Sequence, residues 1–195
     1  MSNTTLHNEN VSVTLKSLGA ELTSIKDASG TEYLWQGNPE FWSGQAPVLF
    51  PIVGCLRNRT ATIGDNKTCS FGRHGLARRL EFDLVSSSDT SVTYSLKAND
   101  KTKEQYPYDF ELQMTYELTE HGVKVSHTVI NHDSVVMPYC VGGHPAFNCP
   151  VFENESFEDY IVEFAQPENA ACAQLTEDGL INNADRVSVL ENEAV

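Results

Sequence analysis

An all-β fold of antiparallel sheets is the class this sequence predicts, and three observations predict it. Short runs with period-two alternation or β-branched enrichment recur along the chain. Glycine, serine, asparagine and aspartate punctuate them, and convincing helical periodicity is almost absent. Many short strands at roughly even spacing favour a sandwich or barrel over an α/β arrangement.

The strand candidates are, in order, VSVTLKS (11–17), ELTSIKD (21–27), PVLFPIV (47–53), EFDLVSS (81–87) and SVTYSLK (91–97). The clearest pair follows: FELQMTYEL (110–118) and VKVSHTVIN (123–131), joined by Thr119-Glu120-His121-Gly122. Two alternating segments around a four-residue link that ends in glycine predict a β-hairpin. Asn38–Phe41 and Lys101–Tyr106 have room for one helical turn each. No internal repeat or low-complexity linker divides the chain, so residues 1–195 are expected to form a single domain. From Gln166 onward the sequence grows more acidic and less patterned, and it ends in VLENEAV without a closing element.

Composition narrows the partners. Of the 195 residues, 40% are hydrophobic and 21% charged, ordinary values for a soluble globular protein. No apolar run approaches the ~20 residues needed to span a bilayer. MSNTTLHNEN lacks the basic head and apolar stretch of a secretory signal, which predicts a cytoplasmic protein. The net charge of −14 argues against nucleic acid and against anionic membrane as partners. Five cysteines without a CxxC pair fit free thiols in a reducing compartment.

Five of the six arginines fall between Arg57 and Arg79. Such a cluster either solvates a strand edge and pairs with carboxylates, or lines a pocket for hydroxyl-rich or anionic ligands. Among the six histidines, His127 and His132 are five apart and so face opposite sides of a strand. With no HxH, HExxH or cysteine–histidine cluster, no metal site is expected. His74 in GRHGLARR and His144 in VGGHPAF stand apart, because both sit beside glycines that allow close backbone approach to a ligand. Imidazole titrates near neutrality and serves as general acid or base without special tuning. GxSxG, phosphate-cradling and dinucleotide motifs are absent. Proton transfer on a polar small molecule is the chemistry that remains. Trp35, Trp42, Phe71 and Phe147 can offer such a molecule an apolar face, or belong to the core.

Four segments then carry a resemblance: SLGAELTSIKDASGTEYLWQG (17–37), APVLFPIVGCLRN (46–58), RHGLAR (73–78) and GGHPAF (142–147). In this order and spacing they resemble the aldose 1-epimerase (galactose mutarotase) superfamily, and within it the LacX-like branch. The likeness fades after about Phe164. It implies an antiparallel β-supersandwich that needs no cofactor and no metal and acts on a sugar or sugar phosphate. The implied reaction interconverts α and β anomers: an acid protonates the ring oxygen, a base deprotonates the anomeric hydroxyl, and the ring opens and recloses.

By the same resemblance His144 matches the catalytic acid and His74 the second catalytic-site histidine. Arg78 matches the arginine of the HG-x-AR motif, which contacts substrate hydroxyls or a phosphate. A further arginine is expected from the preceding loop, with Arg57 and Arg59 both fitting, and Phe147 is the aromatic candidate for substrate contact. The implied base is a glutamate on a late strand, accompanied by a late sugar-binding aspartate. Glu153, Glu155, Glu158 and Glu163 lie too early to match it. The expectation is therefore a sandwich lacking its C-terminal strands, with exposed edges that invite self-association. A carbohydrate-binding sandwich without catalysis is the alternative.

Overall fold

The computed structural model describes residues 2–64, 66–166, 171–178 and 180–187. In chain order its strands are β1 (Asn3–His7), β2 (Val11–Lys16), β3 (Glu21–Asp27), β4 (Val48–Leu49), β5 (Thr60–Ile63), β6 (Lys67–Ser70) and β7 (Asp83–Ser87). There follow β8 (Ser91–Lys97), β9 (Phe110–Leu118), β10 (Val123–Asn131), β11 (Gly142–Gly143), β12 (Cys172–Leu175) and β13 (Ile181–Val187). One six-residue helix, α1 (Asp100–Gln105), begins at an Asn99 cap whose side chain accepts the Thr102 N–H while the Thr102 hydroxyl accepts the Asn99 N–H.

Two antiparallel sheets enclose the core, one ordered β1-β2-β3 and the other β10-β9-β8-β7. Alternation decides which face each strand buries. Strand β2 turns Val11, Val13 and Leu15 inward, β8 turns Val92, Tyr94 and Leu96 inward, and β9 contributes Phe110, Leu112, Met114 and Tyr116. Each such side chain stabilises the fold by about 1.5–3 kcal/mol through removal from water. Two tyrosines bridge the sheets: Tyr94 donates its hydroxyl to Thr4 Oγ1 at 2.7 Å, and Tyr116 donates to the Ala20 carbonyl at 2.6 Å. The predicted hairpin is present with Leu118 opposite Val123, and its link is closed by the Thr119 N–H on the Gly122 carbonyl.

Departures from expectation are local. PVLFPIV enters a ladder only at Val48 and Leu49, because Pro51 has no N–H and the Phe50 carbonyl is engaged elsewhere. Strand β1 and the β5–β6 hairpin were not anticipated. The short helix falls where a single turn was expected, shifted by one residue to Asp100–Gln105.

Candidate active site

The segment from Pro47 to Gly54 is the axis on which both singled-out histidines hang. On one side, β11 pairs with β4, the His144 N–H donates to the Pro47 carbonyl at 3.2 Å, and the Cys140 N–H donates to the Pro51 carbonyl at 2.9 Å. On the other side, the Phe50 carbonyl accepts the N–H groups of Leu76 (2.9 Å) and Ala77 (3.2 Å). GGHPAF and RHGLAR, nearly seventy positions apart, are thus tied by main-chain bonds to the same short stretch.

The RHG turn needs left-handed backbone at two consecutive residues, His74 at φ +65° and Gly75 at φ +75°. Glycine takes that conformation freely, whereas a histidine there bears a cost that its surroundings must offset. The offset is a reciprocal pair with Gly54. The His74 N–H donates to the Gly54 carbonyl at 2.8 Å, and the Gly54 N–H donates to His74 Nδ1 at 3.0 Å.

This places the two imidazoles together, with ring centroids 5.6 Å apart and planes inclined by 57°. Trp42 packs on the other ring, its centroid 5.2 Å from that of His144, and its carbonyl accepts the Trp35 indole N–H at 2.7 Å. Burial lowers the proton affinity of His74, and the charges of Arg78, His144 and Arg73 lower it further.

Trp42 also lines a polar cleft of about 180 Å³ shared with Glu21, Ser43, Gly44, Pro47, Arg78 and Arg79. The Arg78 Nε is buried with no hydrogen-bond partner among the described residues. Burial lowers the proton affinity of its guanidinium, as do Arg79 and Arg73, against an opposing contribution from Glu21. Glu21 is itself fully engaged: Lys16 Nζ lies 2.7 Å away, and the N–H groups of Gln45 (3.2 Å) and Ala46 (2.9 Å) donate to its other oxygen. The cleft therefore presents guanidinium donors beside an aromatic wall, and the one carboxylate among the described residues that line it is already satisfied.

Of the sequence-predicted residues, His74 and His144 come together, and Arg78 lines the adjoining cleft. Arg57 and Arg59 stand exposed on a 3₁₀ turn whose Asn58 and Arg59 both have positive φ, and neither lines that cleft. Phe147 bridges Leu34 and lines a separate, largely apolar cleft of about 530 Å³ with Val11, Ile25, Tyr33 and Val123. Glu21 and Gly54 were missed. The only sequence signal for Glu21 is a carboxylate opening an otherwise β-like segment, and for Gly54 there is a glycine and nothing more. His127 and His132 do face opposite sides: His132 Nε2 lies 3.3 Å from Glu111, while His127 is opposite Met114 with Nε2 buried and without a hydrogen-bond partner among the described residues.

The β-sandwich thus gathers two loop imidazoles and an arginine beside a polar cleft. The chain belongs to the aldose 1-epimerase family, whose model matches residues 2–181. It is 44% identical over 194 residues to the plasmid-encoded Protein LacX of Lactococcus lactis subsp. lactis, and equally so to the chromosomal form. That match covers 96% of this chain and 65% of the relative, so the chain spans just under two-thirds of the curated relatives it matches. A galactose mutarotase related enzyme from Lactobacillus acidophilus superimposes with TM-score 0.89 at 34% identity, over 96% of this chain and 62% of that one. A galactose mutarotase-like protein from Lactobacillus casei gives TM-score 0.72 at 37% identity, over 75% and 50% of the two chains.

Proposed function

We propose that the protein interconverts the α and β anomers of a hexose or hexose phosphate by acid–base ring opening. The observation that carries this reading is the 5.6 Å approach of the His74 and His144 rings. In the reaction His144 gives its proton to the ring oxygen as the bond from that oxygen to the anomeric carbon breaks. The proton of the anomeric hydroxyl passes to a base, and the anomeric carbon becomes an aldehyde. Rotation about the bond next to the aldehyde exposes its other face, and the reverse transfers close the ring. His74 donates a hydrogen bond to the sugar, and Arg78 supports a hydroxyl or phosphate from the adjoining cleft. The family resemblance supports a glutamate base beyond GGHPAF. The engaged state of Glu21 argues that this carboxylate is not the base.

Polarimetry or NMR exchange on freshly dissolved α-glucose, α-galactose and their 6-phosphates tests the proposal. Loss of a general acid costs about 10²–10⁴-fold in rate. His144→Ala is therefore expected to lose most of the acceleration, and equal rates for variant and wild type reject the assignment. A second reading, sugar binding without turnover, is favoured by the lack, among the described residues, of an unengaged carboxylate lining the cleft beside Arg78. Saturable hexose binding by calorimetry with no anomer exchange would establish it.

A further inference from the structure

We infer that the Gly54 backbone N–H fixes His74 as a neutral imidazole protonated on Nε2, making it a stationary donor and leaving His144 as the ring that exchanges the proton. The inference rests on the mutarotation reading for its catalytic consequence, and on geometry alone for the tautomer.

The Gly54 N–H reaches His74 Nδ1 at 3.0 Å, so that nitrogen must present a lone pair. A neutral imidazole has one such nitrogen, and the remaining proton then resides on Nε2. An imidazolium has none. Protonating His74 would set two N–H groups against each other and break the bond. The His74 main chain is held to the same residue by its own N–H on the Gly54 carbonyl at 2.8 Å, which keeps the Gly54 N–H within reach of the ring. The groups facing the ring reinforce the same state. Arg78 and Arg73 are cations, His144 becomes one when it takes a proton, and all three lower the proton affinity of His74. Two imidazoles this close do not both carry charge at little cost. The backbone bond decides which one stays neutral, and substrate then meets a donor at His74 Nε2.

The two roles differ in expected magnitude. A fixed neutral donor contributes about tenfold, the worth of one hydrogen bond. A proton-transferring group contributes about 10²–10⁴-fold. His74→Gln carries an amide N–H out toward the position of Nε2. His74→Asn keeps an acceptor for the Gly54 N–H and loses the distal donor. Two measurements on the full chain decide the matter.

Long-range ¹⁵N–¹H spectra of the histidine rings, assigned by the signal that disappears in His74→Gln, should show Nδ1 unprotonated and Nε2 protonated. That pattern should persist below pH ~6.5, where a free histidine has become mostly charged. A proton on Nδ1, or an imidazolium at that pH, overturns the inference. In mutarotation assays His74→Asn should lose about tenfold and His74→Gln should recover most of that loss. A loss of about 10²–10⁴-fold shared equally by Asn and Gln would make His74 a proton carrier and refute the donor role. If wild type shows no mutarotation, the functional reading fails while the spectra still decide the tautomer.

Discussion

Replacing Gly75 by alanine should separate the cost of left-handed backbone from the cost of filling occupied space. Gly75 has φ +75°, and a Cβ built on it would overlap the Phe50 carbonyl oxygen, lying 2.5 Å from Phe50 C and 2.8 Å from Pro51 N. All three atoms are main chain, so nothing flexible can give way. The left-handed conformation alone costs an alanine about 1 kcal/mol. Moving Phe50 away puts at risk the two bonds its carbonyl accepts, from Leu76 at 2.9 Å and Ala77 at 3.2 Å, at about 1 kcal/mol each. The expected loss is about 3 kcal/mol. Gly30 is the control, with φ +89° and nothing within 4 Å of its Cβ direction, so Gly30→Ala should lose only about 1 kcal/mol. Urea unfolding followed by tryptophan fluorescence and far-UV dichroism measures both. At a slope of about 3 kcal/mol per molar urea, Gly75→Ala should move the midpoint by about 1 M and Gly30→Ala by about 0.3 M. Equal shifts would refute the claim that the Phe50 carbonyl is packed against this turn.

Two further outcomes follow from buried polar groups. Burial lowers the proton affinity of His127, whose Nε2 has no partner among the described residues, as it does that of His74. Both are therefore neutral in the fold at pH values where the unfolded chain takes up protons, so stability is complete above pH ~6.5 and declines as pH falls below it. His127→Leu should flatten that decline and raise stability at neutral pH by about 1–2 kcal/mol, measured as the urea midpoint between pH 7.5 and 5.5; an unchanged slope would count against it. Tyr116→Phe removes the 2.6 Å bond to the Ala20 carbonyl and leaves that acceptor buried, so denaturant titration should show a loss of about 1–3 kcal/mol.

The extent to which this fold was legible followed from how each strand spends its side chains. Strand β9 alternates strictly in sequence because one face meets the core, β10 pairs along its full length with a looser pattern and no fully buried residue, and the predicted boundaries of both match the structure at each end. Strand β1 buries only Leu6, and β5 and β6 together bury only Cys69. Their order comes from main-chain ladders, which leave no apolar period to read. The site divides in the same way. Glycines beside His74 and His144 advertised close-approach loops, and those two rings do converge. The directions of Arg57, Arg59 and Phe147 were invisible, because an irregular loop has no period that assigns a side chain to a face.

His127 and His74 share a lowered proton affinity in very different surroundings. Burial is the largest cause for both. His127 lies on a regular strand opposite Met114, and its orphaned nitrogen gains nothing from staying neutral except relief from desolvation. His74 sits in left-handed backbone that costs energy, beside cations that repel a proton, and it receives a main-chain donor on one ring nitrogen. A sequence under selection for stability alone would place glycine or asparagine at such a φ. Ala20 and Arg59 also take positive φ, so what sets His74 apart is the surroundings of its ring. A second imidazole stands 5.6 Å away, and the same main-chain stretch, Pro47 to Gly54, holds both. The positions of the two rings are thus set by backbone bonds anchored in the core at Val48, Leu49 and Phe50, not by packing of the exposed side chains around them.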